Sequence, residues 1–103
     1  MTMTGKERAG LRAEAHHLTA TVHVGQHGLT PTLIASLDDA LRTRELVKVQ
    51  LGRHIDVKPK DLARELALAT SSEVVQVIGR TTTLYRENPE LRRKGVERPW
   101  RVL

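Results

Sequence analysis

In the stretch HVGQHGLTPTLIASL, residues 23 to 37, Gly25 and Gly28 enclose Gln26 and His27 just ahead of a helix start. Glycine at such a bend has two physical uses. It takes positive φ without steric cost, and it has no Cβ to hold a ligand away from the backbone. Successive amides of a tight turn can point into one concavity and hold an anion, and the partial positive charge of a helix N-terminus adds to the attraction. Thr30 is placed to cap the following helix and occupy one of its free amides, while Pro31, at the first helical position, has none to offer. The donors expected to remain are the amides of Gln26, His27 and Gly28, reinforced by the side chains of Gln26 and His27. A phosphodiester suits such a site. The same spacing also serves as a plain connection from strand to helix, so the loop alone does not decide.

Other chemistry is poorly supplied. The chain has no cysteine, which rules out a disulfide framework and a cysteine-based zinc site. Of its five histidines, His16 and His17 are adjacent and would project about 100° apart on a helix. No acidic cluster completes a ligand set, so no metal and no cofactor are expected. A Gly-x-Ser-x-Gly elbow and a Walker loop are both missing, and Asp38 and Asp39, neighbours on a helix, face different ways. His27 beside a phosphate could serve as a general base, which keeps a nuclease as a minor alternative. Binding accounts for every feature, and the chain is read as non-enzymatic.

The elements that must position this loop are legible in outline. Thr4 to Leu18 reads as a helix, with Thr4 and Glu7 at capping-box spacing and Leu11, Ala15 and Leu18 on one side. Arg8, Arg12 and His16 form a second stripe beside the apolar one. ATVHV is a short half-buried strand, and the loop follows it. Leu33, Ile34, Leu37, Ala40 and Leu41 form the apolar face of a helix opened by Thr30 and Pro31. ELVKVQL alternates as a strand, with Val47, Val49 and Leu51 opposite Lys48 and Gln50. Pro59 opens a third helix with Asp61 in its first turn and Leu62, Ala63, Leu66 and Ala69 buried. SSEVVQVIGRTTTLYR folds back through Gly79 as a hairpin. The order αβαβαββ predicts an α/β two-layer sandwich of three helices on one side of a four-stranded mixed sheet. Val22, Val24, Val47, Val49 and Leu51 would pack on the helices, and His23, Lys48, Gln50 and Gln76 would occupy an open polar face. Residues 1–87 form one domain. Residues 88–103 have no periodic apolar face and read as a flexible basic tail, with Trp100 making at most a weak contact.

At 103 residues and 39% apolar content the chain suits one modest core. No apolar run approaches the roughly 20 residues a membrane helix requires, and no secretory signal is visible at the N-terminus. A cytoplasmic protein without a membrane partner is expected. Seventeen Lys and Arg against twelve Asp and Glu give +5, a balance that favours polyanions, chiefly nucleic acid. Tyr85 and Trp100 are the only aromatic residues, so a stacking platform of surface aromatics is not available. Any grip would come from charge and backbone amides.

The run LRAEAHHLTATVHVGQHGLTPTLIASLDDALRTRELVKVQL, followed by ELALATSSEVVQVIGRTTTLYRENPE, resembles the CRM domain, a module named for chloroplast RNA splicing and ribosome maturation. It is most similar to the small bacterial stand-alone members of that family, of the YhbY-like type. The resemblance covers roughly residues 4 to 90 and rests on AHHL, VGQHGLT, ELVKVQL and VVQVIGRTTTLYR in the family's order and spacing. It implies an α/β domain shaped like the C-terminal domain of translation initiation factor 3. It also implies RNA binding through the glycine loop, here Gly25 and Gly28, and association with the precursor of the large ribosomal subunit. Many members carry a lysine after the first glycine, where this chain has Gln26. A glycine is common before the third strand, where this chain has Ser71 and Ser72.

The resulting expectation is a monomeric RNA-binding factor for ribosome assembly with no small-molecule substrate. Gly25, Gln26, His27 and Gly28 would clamp the sugar–phosphate backbone, and Arg8, Arg12, Lys48, Arg53, Arg80 and Arg86 would supply the surrounding charge. Base preference would be modest and shape would matter more. One rival is a ribosome-associated protein-interaction module that uses the open sheet face and the tail without a direct RNA clamp. Another is a duplex-DNA binder that places a helix in the major groove.

Overall fold

A computed structural model describes residues 3–53 and 55–98. Chain order is α1 (Gly5–Ala15), β1 (Val22–Val24), α2 (Pro31–Arg44), β2 (Leu46–Leu51), α3 (Pro59–Thr70), β3 (Glu73–Ile78), β4 (Thr81–Tyr85) and α4 (Pro89–Arg93). Helix starts follow the local signals. Thr4 and Glu7 close a reciprocal capping box, and Thr30 Oγ1 accepts the Leu33 amide at 3.1 Å with Pro31 at the first position. Each cap satisfies amides that have no partner inside the helix. At the end of α3, Ser71 takes the left-handed conformation at φ 54, the position where the resemblance noted a missing glycine.

The four strands lie in the order β1-β2-β4-β3. β1 runs parallel to β2, whereas β4 is antiparallel to both β2 and β3. The α/β class, the mixed sheet and the element order through β4 are as expected. The layering differs. Val47, Val49 and Leu51 pack with Leu37 and Leu41 of α2 and Leu62 and Leu66 of α3. Leu46 and Tyr85 point the opposite way and meet Met3 and Leu11 of the α1 region, together with Val75. Helix α1 therefore covers the other face, and the molecule has three layers, α2 and α3, the sheet, and α1. The cause is visible in β2. Its first residues are apolar on both faces, so one helix layer could not cover them all. A bulge in β3 helps, since the register shifts between Val74 and Gln76 and adds Val75 to the α1 face, the same face as Gln76, whose partner Thr83 pairs with Lys48.

A fourth helix, absent from the expected three, follows Arg86. Residues 88–98 lean on the α2–β2 corner through Glu45, which is fully buried at φ 66. Its carboxylate accepts the Asn88 amide at 2.8 Å and Arg98 Nε at 3.3 Å. Arg98 also donates to the Thr43 carbonyl at 3.1 Å. Trp100, for which a weak contact was expected, lies outside the described residues.

Candidate nucleic-acid interface

The topology gathers several turns at one end of the sheet. Parallel β1 and β2 both finish there, the two-residue β3–β4 turn Gly79–Arg80 closes there because β4 is antiparallel to β2, and α2 and α3 start there. Gly25 to Gly28 form a tight turn in which the Gly28 amide donates to the Gly25 carbonyl at 3.0 Å, and Gly28 sits at φ 67. Only the second glycine is thus demanded by backbone conformation. A Cβ on Gly25 would meet nothing within 4 Å, and its φ is not left-handed. The protein's own packing does not require a glycine at that position.

Of the three expected donors, the Gly28 amide is therefore already used inside the turn. The amides of Gln26 and His27 have no acceptor among the described residues, and both residues are exposed. The anion site reduces, among those three donors, to these two N–H groups at the mouth of α2, where Thr30 takes the Leu33 amide.

Arg80 and Arg53 flank the turn. The Arg80 guanidinium donates to the Gly52 carbonyl at 3.0 Å, its own carbonyl accepts the Leu51 amide, and the Gly52 amide donates to the Val24 carbonyl at 2.9 Å. These bonds tie the ends of β1, β2 and the β3–β4 turn into one surface. Arg53 is exposed and lines an open cleft of about 360 Å³ with His23, Val24, Gln50, Leu51 and Gly52. Lys58 and Lys60, exposed at the start of α3, add positive charge at this end. They escaped sequence reasoning, although cations beside a helix N-terminus oppose the macrodipole and so hint at an external partner. Asp56 and Asp61 are the acidic residues of the same stretch. Against them stand Arg53, Lys58, Lys60 and Arg80.

The remaining predicted cations lie elsewhere, and three of them bond the protein itself. Lys48, expected on an open face, is covered by α1, and its Nζ donates to the Ala15 and Leu18 carbonyls at 3.0 and 3.3 Å. This ties down the C-terminal end of that helix. Arg8 donates to the Val74 and Val75 carbonyls at 2.9 and 3.1 Å, across the bulge of edge strand β3. Arg86 sits at the opposite end of the sheet and holds the Asp38 carboxylate at 2.6 Å, the Thr70 carbonyl at 2.7 Å and the Asp38 carbonyl at 3.0 Å. Arg12 is exposed on α1, away from the turn. Of the open face expected for His23, Lys48, Gln50 and Gln76, His23 and Gln50 remain exposed, while Gln76 is half-buried.

His23 and His27 are four residues apart, one on a strand and one in the turn. No cluster of three metal-ligating side chains forms among the described residues. No described helix is long and apolar enough to cross a membrane.

Comparison with known proteins agrees with this architecture. The family model of the CRS1 / YhbY (CRM) domain matches residues 3–86. The probable RNA-binding protein YqeI of Bacillus subtilis is 38% identical over 97 residues, which span 94% of this chain and 99% of that protein. A probable RNA-binding protein of Pseudomonas aeruginosa is 33% identical over 87% of this chain and 86% of its own. The solution structure of SAV1595 from Staphylococcus aureus superposes with a TM-score of 0.73 at 39% identity, covering 84% of this chain and 91% of the other. On the family model, the relatives and the shared fold together, the chain belongs to the CRS1/YhbY (CRM) domain family.

Proposed function

We propose that the protein binds RNA by holding a backbone phosphate on the free amides of Gln26 and His27, with Arg53 and Arg80 alongside. The observation that carries this reading is the pair of exposed amides without internal acceptors, presented by a turn whose first glycine the fold does not need. Lys58 and Lys60 extend the positive surface. Arg12 is a peripheral contact, and Arg8, Lys48 and Arg86 act by fixing the scaffold. The names of the relatives from Bacillus subtilis and Pseudomonas aeruginosa support RNA as the polyanion. The family resemblance directs the proposal to ribosomal RNA of the large-subunit precursor, with the protein acting in the cytoplasm as a monomeric assembly factor. The role is binding rather than catalysis. A protein-docking role on the open sheet face is less well supported, because α1 covers much of that face.

Gly28→Asp tests the clamp. Aspartate tolerates the left-handed conformation better than most residues, so the fold should survive while a negative charge enters the phosphate site. Affinity for large-subunit ribosomal RNA fragments is expected to fall by at least tenfold, measured by fluorescence anisotropy at fixed salt. Unchanged affinity of a variant with a native circular-dichroism spectrum would overturn the clamp.

A further inference from the structure

The strand register aligns His23 with Gln50, Gln50 with Thr81, and Thr81 with Ile78, one residue from each strand in a row across the sheet. Directly paired residues share a face. This row shares its face with Lys48, which α1 covers. One row nearer the glycine turn, coverage by α1 ends, and His23, Gln50 and Ile78 are exposed, Ile78 at 58%. The cleft of about 360 Å³ opens where His23 and Gln50 meet Gly52 and Arg53. Its lining includes Val24, the residue immediately before Gly25, so the cleft borders the start of the turn.

We infer that this cleft is a nucleobase site that takes an unpaired RNA base next to the phosphate held by the turn. The inference rests on the RNA-binding reading and adds what that reading leaves open, the conformation of the RNA. The Gln50 amide offers a donor and an acceptor to a base edge, and the His23 imidazole offers a flat surface for stacking. Thr81 and Ile78 continue the strip for a neighbouring nucleotide. In an A-form duplex the pairing edges are already occupied and the major groove is too narrow to admit side chains, so the ligand is a loop, bulge or single strand. Gly52 is needed by the cleft wall itself, since a Cβ there would lie 3.1 Å from the Val24 carbonyl.

The test compares the wild type, the double variant His23→Ala/Gln50→Ala, Gln50→Glu and Gly28→Asp. Each is titrated against a short labelled single-stranded RNA and against the same sequence fully paired, across a salt series. Because His23 and Gln50 are exposed, these variants keep the fold, as circular dichroism will verify. The wild type is expected to favour the single strand, and the double variant to lose about tenfold on it without a change in duplex affinity or salt slope. Gln50→Glu is expected to change the order of preference among homopolymeric single strands. Equal weakening on both RNAs, or no weakening on either, overturns the base site. If Gly28→Asp alone weakens binding, the clamp stands and the base site falls. If the double variant alone weakens the single strand, the base site stands and the clamp falls. A wild type that binds neither RNA removes both.

Discussion

Replacing Gly25 by alanine separates the needs of a ligand from the needs of the fold. The backbone at Gly25 lies outside the left-handed region, and an added methyl group would meet no protein atom within 4 Å. At such a position Gly→Ala restricts the unfolded chain and stabilises by about 0.4–1 kcal/mol. The thermal midpoint should therefore hold or rise by a few degrees, at about 4–8 °C per kcal/mol for a domain of this size. The bound RNA responds differently. A methyl group at the mouth of the turn pushes the phosphate away from the Gln26 and His27 amides. Hydrogen bonds to a charged group contribute about 1.5–3 kcal/mol each, so losing one raises Kd by about 10- to 150-fold. Scanning calorimetry paired with RNA titration at one salt concentration measures both effects. An affinity within about twofold of wild type, in a protein of undiminished stability, would refute the reasoning. A midpoint lowered by several degrees would refute it too, by showing that the fold itself needs the glycine.

Two other substitutions probe residues that hold the scaffold. Arg86→Ala removes the bonds to Asp38 and to the Thr70 carbonyl and should cost about 1.5–3 kcal/mol in urea unfolding, with little change in the RNA affinity of the folded protein. A drop in affinity without a drop in stability would instead make Arg86 an RNA contact. Glu45→Gln removes the buried charge that accepts from Asn88 and Arg98. Amide exchange at Asn88 should quicken and stability should fall by about 1.5–3 kcal/mol, whereas unaltered exchange would deny Glu45 its role as an anchor.

Which features were legible follows from the range of the interactions that make them. Helix starts at Thr4, Thr30 and Pro59 depend on neighbours a few residues away, as do the alternation of ELVKVQL and the turn at Gly79, and each could be read directly. The candidate site was legible to the same extent. The turn was evident from its two glycines, and Arg53 and Arg80 from their positions beside strand ends. The internal use of the Gly28 amide was not, because a donor list from sequence does not say which carbonyl the turn brings within reach. The row His23–Gln50–Thr81–Ile78 was also hidden, since it exists only through the pairing of four strands.

Taken alone, the sequence determined the order of elements, their caps, the mixed α/β class and a bare turn at the mouth of a helix. All of these are written in spacings of two to four residues and in the fixed preferences of Gly, Pro and Thr. Tertiary structure alone decided which face α1 covers and which cations are left for a partner. Arg8, Lys48 and Arg86 look like surface charge in one dimension, yet each donates to carbonyls brought near by folding. Whether a guanidinium or ammonium faces a partner or its own backbone depends on long-range packing, and local pattern carries no record of that.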